Sequence, residues 1–288
     1  MTLILNDEAR IMKIKRRFAF SENNADVMGF LSKHKISLEF NIGSLINAIN
    51  IYEDQENYQK IADFLASRDV FPCRATSKVE YSSREIDESE WLTIRSTWRN
   101  DYPQPADDFG YIHTTYDSSK YCEKCLKGLV QKDLFKIRKK PNFGSKNFLM
   151  INWIHDEFFV SNKVEAAFKE NNVRGVDFYK VLNLSGKEMA ETKQIYVNTY
   201  LKPGIKNESI EYELLCQLCS FKKYFQRLGY LYYDKSVFEN LDVDMIKSSE
   251  KFGEITCCSK LFITQRVRKI IINNNLSRGL VFEPVILV

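Results

Sequence analysis

The sequence predicts an α+β fold, with an N-terminal α+β domain over residues 1–118 followed by two copies of a strand-helix-strand unit related by a pseudo-twofold. Three observations predict it. Residues 158–181 and 261–285 are near-copies: Ser161 matches Thr264, Val164 matches Val267, Phe168 matches Ile271, and Asn171-Asn172 match Asn274-Asn275. After one inserted residue Gly175 matches Gly279, Phe178 matches Phe282 and Val181 matches Val285. Each copy is preceded by a Cys-x-x-Cys pair, Cys122/Cys125 and Cys216/Cys219. The first 118 residues carry no copy, no regular βαβ alternation and no Gly-rich phosphate loop.

In chain order, Ile11–Phe20 alternates enough for a strand, and Lys35–Phe40 is a second candidate. Ile42, Leu45, Ile46 and Ile49 fit one face of a helix, and Tyr58, Ile61, Ala62, Phe64 and Leu65 fit another, after the acids Glu53, Asp54 and Glu56. Val70–Tyr81 reads as a strand and Asp87–Trp98 as a short helix or a helix-strand boundary. Pro103 and Pro105 force extended backbone and mark the connection into the duplicated part. The first repeat then runs over 119–203 and the second over 204–288, divided at the turn dipeptide Pro203-Gly204.

Both repeats share a local grammar. A short apolar run, Phe158–Val160 or Leu261–Ile263, reads as a strand. Ser161 or Thr264 follows, where a hydroxyl can cap the free amides of a helix. Val164, Ala167, Phe168 and Val173 recur at helical spacing, as do Val267, Ile270, Ile271 and Leu276. The Asn pair stops each helix, because Asn tolerates the left-handed conformation. Gly175 and Gly279 open a second strand. Two such units can cover each other's apolar faces.

Composition sets outer limits. Apolar content of 44% and charged content of 28% are ordinary for a globular chain, and a net charge of +4 makes no case for nucleic acid. No apolar run approaches the roughly 20 residues of a membrane span. The start, Met1-Thr-Leu-Ile-Leu-Asn-Asp-Glu8, has acids where a signal peptide is basic. Seven cysteines, four of them in Cys-x-x-Cys pairs, favour metal binding or free thiols over disulfides, and a cytoplasmic location is expected.

The cysteines are the strongest chemical signal. Two intervening residues let both sulfurs face one ion, and four thiolates close a tetrahedral zinc site. Cys122, Cys125, Cys216 and Cys219 are the natural set, since related positions of a duplicated protein can meet; a structural zinc there would pin the repeats together. A rival set joins Cys216 and Cys219 to the adjacent Cys257 and Cys258. Buried thiols without a ligand and a redox pair are the other readings. Redox is disfavoured, because neither pair clearly opens a helix after a buried strand.

Lys132, Lys136, Arg138, Lys139, Lys140 and Lys146 interleave with Phe135, Phe143 and Phe148, which could stack bases; such a run is more often a solvated edge. His155, beside Asp156 and Glu157, invites a general-base reading, yet no distinct nucleophile accompanies it, and a satisfied histidine at a strand end is the expectation. Asp87, Glu88 and Glu90, with Asp107 and Asp108, lack a catalytic spacing and suit solvated turns or docking of a basic partner. No Ser/His/Asp order, His-Glu-x-x-His or nucleotide fingerprint occurs.

Over residues 85–288 the chain resembles bacterial double-CxxCG motif proteins. The resemblance rests on Cys122-Glu-Lys-Cys125, Cys216-Gln-Leu-Cys219, the Gln131 and Gln226 that follow the pairs, and the closing Gly279-Leu-Val-Phe-Glu-Pro-Val285. The family's glycine after each pair is here Leu126 and Ser220, a departure at the residue that turns the knuckle. The resemblance implies an accessory or immunity-type protein beside a toxin gene, with metal on the paired cysteines and no catalytic residues to carry over. The expected function is therefore a non-catalytic binding protein whose partner is a protein such as a cognate toxin. A zinc-containing nucleic-acid binder or enzyme using the 132–146 patch is the alternative.

Overall fold

The structure, a computed structural model, describes residues 12–21, 24–40, 46–73 and 76–288. It is a mixed α+β protein that divides into two compact units, residues 1–85 and 86–288. No described helix is long and apolar enough to cross a membrane.

The first unit is a four-stranded sheet with two helices. Its strands are β1 (Lys13–Ser21), β2 (Glu39–Phe40), β3 (Ile46–Tyr52) and β4 (Lys78–Glu80), in the order β2-β3-β1-β4. Helix α1 (Ala25–Lys33) and helix α2 (Tyr58–Ala66) cover it, burying Phe18, Val27, Leu31, Ile49, Ile61 and Leu65. Two expectations fail here. The segment containing Ile46 and Ile49 is strand, not helix; Ile42 and Leu45 lie outside the described residues. Ile46-Asn-Ala-Ile-Asn-Ile-Tyr52 carries the β-branched Ile46, Ile49 and Ile51 and pairs antiparallel with β1 from Lys15↔Tyr52 to Ser21↔Ile46, and long-range pairing overrides the helical spacing. Among the described residues of Val70–Tyr81 the strand is confined to the three residues of β4, with an isolated bridge Phe18↔Pro72 ahead of it, where Pro72 withholds a ladder amide.

In the second unit, α3 (Ser83–Glu88) leads into β5 (Trp91–Ser96). After α4 (Tyr111–Thr115) come the short strands β6 (Tyr116–Asp117), β7 (Val130–Gln131) and β8 (Phe148–Leu149). Then follow β9 (Phe158–Ser161), α5 (Asn162–Glu170), β10 (Asp177–Leu182) and β11 (Glu188–Tyr196). Next are β12 (Ile210–Leu215), β13 (Lys222–Gln226), β14 (Leu231–Tyr233) and β15 (Met245–Lys247). The chain closes with β16 (Leu261–Thr264), α6 (Gln265–Asn273) and β17 (Leu280–Leu287).

One sheet has the order β10-β11-β9-β8 and the other β14-β17-β5-β16-β15. In each, the two strands of a strand-helix-strand unit flank a third strand that runs antiparallel to both. In the first sheet that middle strand, β11, follows the unit in sequence; in the second it is β5, from 169 residues earlier at the pair Thr93↔Phe262. The boundary expected near residue 118 accordingly falls at 85/86: residues 86–118 belong with the second unit, because β5 is the inner strand of its five-stranded sheet.

The local details repeat. Both helices have nine residues, with N-cap ψ of 158° at Ser161 and 160° at Thr264. Asn171 and Asn274 each donate a side-chain amide to the carbonyl four residues back, at 2.8 and 2.9 Å. Asn172 and Asn275 follow at φ 49° and 56°, the left-handed stop expected of Asn. The caps differ in one respect. Thr264 Oγ1 accepts from Val267 N–H at 3.4 Å, whereas the Ser161 hydroxyl donates instead to Asn147 Oδ1 at 2.8 Å. Gly175 is required by position: at φ +82° a Cβ there would stand 2.5 Å from the Met245 carbonyl oxygen.

β9 and β16 are buried on both faces, hence their unbroken apolar runs. Phe158, Val160, Leu261 and Ile263 face one shared core together with Val164 and Phe168 of α5 and Val267 and Ile271 of α6. On the opposite faces Phe159 joins Phe135, Ile137 and Leu149, and Phe262 joins Trp91, Tyr233 and Phe238. Each such fully buried side chain is worth about 1.5–3 kcal/mol over exposure. The shared core thus fixes the frame from which the cysteine hairpins project.

Candidate metal centre

Each Cys-x-x-Cys lies in the connection between two antiparallel strands: the first between β6 and β7, the second between β12 and β13. The turns are alike bond for bond. Cys122 N–H donates to Lys127 O at 2.8 Å and Leu126 N–H to Cys122 O at 2.7 Å. Cys216 N–H donates to Phe221 O, and Ser220 N–H to Cys216 O, both at 2.9 Å. Leu126 and Ser220 hold φ of 64° and 54°, so the positions where the resembled family has glycine keep the left-handed conformation despite their side chains. A left-handed L-residue costs about 1–2 kcal/mol. Ser220→Gly, at an exposed position, is therefore expected to raise stability in urea unfolding by about 1 kcal/mol, net of glycine's larger unfolded-state entropy. Leu126→Gly should gain less, because the Leu126 side chain is partly buried.

The two knuckles face each other. Cys122 Sγ lies 3.7 Å from Cys216 Sγ, and Cys125 Sγ lies 3.5 Å from Cys219 Sγ. All four sulfurs lie within 4.8 Å of one another. A tetrahedron with metal–sulfur bonds of about 2.3 Å has edges of roughly 3.8 Å, so the gathering has the size of a four-thiolate metal site. Four residues expected from sequence to converge do converge. The rival pair Cys257 and Cys258 stands outside the cluster.

The shell fits a cation. The backbone amides of Cys219 and Leu218 donate toward Cys216 Sγ and bring its thiol down to about 6, so one sulfur is readily ionised. Burial pushes the Cys125 thiol up to about 12 in the absence of a positive charge. Cys125, a neutral thiol when no cation is near, would give up its proton on binding one, as the ligands of a thiolate site must. The knuckles are also tied directly, Lys127 Nζ lying 4.0 Å over the ring of Phe221.

The remaining sequence candidates separate. Phe135 and Phe148 are fully buried, and Phe143 packs edge-on against Trp98, so the aromatic residues of the basic run do not form a stacking platform. Lys140 pairs with Glu191, and Lys146 lies over Trp98. His155 Nδ1 lies 3.1 Å from Arg99 Nη2, and partial burial together with that guanidinium holds its pKa below the usual imidazole value. Asp107 and Asp108 are exposed, as are Asp87, Glu88 and Glu90, with Asp87 paired to Arg268.

Sequence reasoning missed a buried polar chain beside the first knuckle. Gln131 and Gln194 exchange amide hydrogen bonds at 2.9 and 2.7 Å. Gln194 also donates to Glu157 Oε2 at 3.2 Å, and Glu157 Oε1 accepts from Lys247. Burial alone would lower the pKa of Lys247, but the Glu157 and Asp156 carboxylates outweigh that effect and raise it. The available signal was Gln131, already singled out, but its partners lie 63 residues away and beyond.

No protein-family model matches the chain, and no curated protein matches it.

Proposed function

We propose that this chain is a non-catalytic binding protein of the immunity type, built from two copies of one module related by a twofold and locked by a structural zinc. The cofactor reading rests on the donor set. Four thiolates fill a tetrahedral shell and leave no open position for substrate, as in structural rather than catalytic zinc sites. When bound, the ion supplies a crosslink between hairpins that are 94 residues apart in sequence. Cys122 and Cys125 would hold it from the first module, Cys216 and Cys219 from the second.

The observation that carries the binding role is the surface this crosslink presents. Leu215 and Leu218 flank Cys216 and are 67% and 76% exposed, far more than ordinary for leucine. A rigid turn displaying two bare leucines is an anchor for a partner's apolar pocket. The exposed acids Glu88, Glu90, Asp107 and Asp108 suit a basic partner such as a toxin enzyme. The polar groups that a catalytic reading would use are committed elsewhere: both Glu157 oxygens are hydrogen-bonded, and His155 faces a guanidinium.

The test is co-expression with a candidate toxin encoded beside this chain's gene. A complex that protects growth and is lost in the Leu215→Asp/Leu218→Asp variant, at unchanged metal content, is the expected result. The absence of a complex, or turnover abolished by His155→Ala, would overturn the reading.

A further inference from the structure

A cavity of about 710 Å³ opens beside the cysteine cluster, between the first knuckle, residues 153–157, the end of β11 and the 251–258 loop. Its size is that of a small-molecule site. It has three features that a packing defect lacks.

The first is the wall. Phe109, Tyr111, Tyr116, Tyr121, Trp153 and Tyr200 line it, an aromatic density suited to a flat π-system. The rings are arranged among themselves at the rim, with Phe109 4.8 Å and Tyr111 6.0 Å from Trp153 between centroids.

The second is the backbone beneath that wall. Phe109, Leu126 and Trp153 adopt φ of 53°, 64° and 68°. They are the apolar residues with positive φ among the described residues, and all three line this cavity. Left-handed backbone at bulky residues is uncommon and clusters at ligand-binding places, where it aims a side chain. Trp153 remains 39% exposed and Phe109 51%, so burial of these rings is not what the strain achieves.

The third is the hydrogen-bonding capacity of the floor. The acids are each engaged at least once. Glu157 accepts from Lys247 and Gln194, and Asp156 Oδ2 accepts the Ser259 N–H at 3.1 Å. The cations have donors left over. Lys247 is 4% exposed, and Glu157 is the one acceptor its ammonium meets among the described residues. Lys251 Nζ donates to Ser259 Oγ at 2.8 Å and lies 5.8 Å from the centre of the Tyr200 ring. An ammonium carries three N–H donors, so each retains two. A buried donor without an acceptor costs about 1–3 kcal/mol, more when charged. The unfilled requirement is for an anionic acceptor next to an aromatic surface.

We propose that this cavity binds a small aromatic carboxylate, its ring against Trp153 and Tyr200 and its carboxylate on Lys247 and Lys251. Lys223 of β13 donates to the carbonyls of Glu254 and Thr256 at 3.0 and 2.8 Å, so the second hairpin fixes the loop that carries Lys251. The site is thereby held open by the same two hairpins that carry the cysteines.

Isothermal titration of the full-length, metal-loaded chain tests this with indole-3-acetate, 4-hydroxybenzoate and 2-naphthoate, set against tryptamine and tyramine. Saturable one-to-one binding of at least one acid is expected, at least tenfold tighter than either amine. Lys251→Met should weaken that binding about tenfold, and the exposed-rim variant Tyr200→Ala should weaken it several-fold; both are checked for an unchanged melting midpoint. If no acid saturates, if an amine binds as tightly as the acids, or if both folded variants bind like the parent, the assignment fails. The immunity reading is unaffected by either result, because its surface lies at Leu215 and Leu218.

Discussion

Removing the metal is expected to melt the two cysteine hairpins and lower the unfolding midpoint of the 86–288 unit by roughly 10 °C. Zinc binding by small four-ligand domains contributes about 10–16 kcal/mol, which in those domains is the whole folding energy. Less should be lost here, because β5, β9 and β16 have buried cores of their own. The hairpins do not share that independence. β6 and β7 contribute two residues each, and β12 and β13 form a two-stranded sheet tied to the 251–253 loop by the isolated Tyr224↔Phe252 bridge. A net loss of about 3–4 kcal/mol converts, in a unit of this size, to the shift stated. The Cys125→Ser/Cys219→Ser variant should behave like the chelated protein, with amide protection lost over residues 116–131 and 210–226 and retained in β9 and β16. Acid should act the same way, since the thiols must shed their protons to bind the ion, so the metal is released as pH falls. Elemental analysis should find one zinc per chain. A metal-free chain with the same midpoint as the purified protein would remove the structural role.

The parts of this architecture that were legible in the sequence are the local ones. Ser161 and Thr264, the Asn pairs and the two glycines are choices a helix start and stop dictate within a few residues, and they appear where the spacing puts them. The cysteine convergence was legible too, because a duplicated motif carries its own pairing rule. What failed was non-local. Ile46 and Ile49 have helical spacing, yet they sit in a strand held between β1 and β2. The role of β5 was hidden because its partners, β16 and β17, come some 165 to 190 residues later. The cavity had no signature at all: its lining comes from four separated stretches, and the strained φ of Phe109 and Trp153 leaves no mark in residue type. Proximity of Glu157 to Lys247, 90 residues apart, is likewise a property of the fold.

That ion pair gives the second large effect. Lys247→Met leaves Glu157 buried, with its Oε2 still on Gln194 and its Oε1 bare. Side-chain exposures of 5% and 12% keep the pair largely out of bulk water. Breaking one side of a buried pair costs about 3–5 kcal/mol, since the surviving charge has been desolvated without compensation. Adding Glu157→Gln should recover most of the loss, as the amide is neutral and Gln194 can still donate to its oxygen. A double-mutant cycle in urea therefore predicts a coupling energy of about 2–3 kcal/mol, and a cycle that closes additively would show that the pair contributes nothing jointly. The same pair sets an alkaline limit. Lys247 has its pKa raised in the folded chain, so its contribution is complete below the unfolded lysine value of about 10.4 and is lost as pH rises through the higher folded value. The parent should thus lose stability above about pH 10.4 relative to the double variant. Between the acid range, where Glu157 titrates with its pKa raised by burial, and that pH the difference between the two should be flat, because neither position then changes its charge.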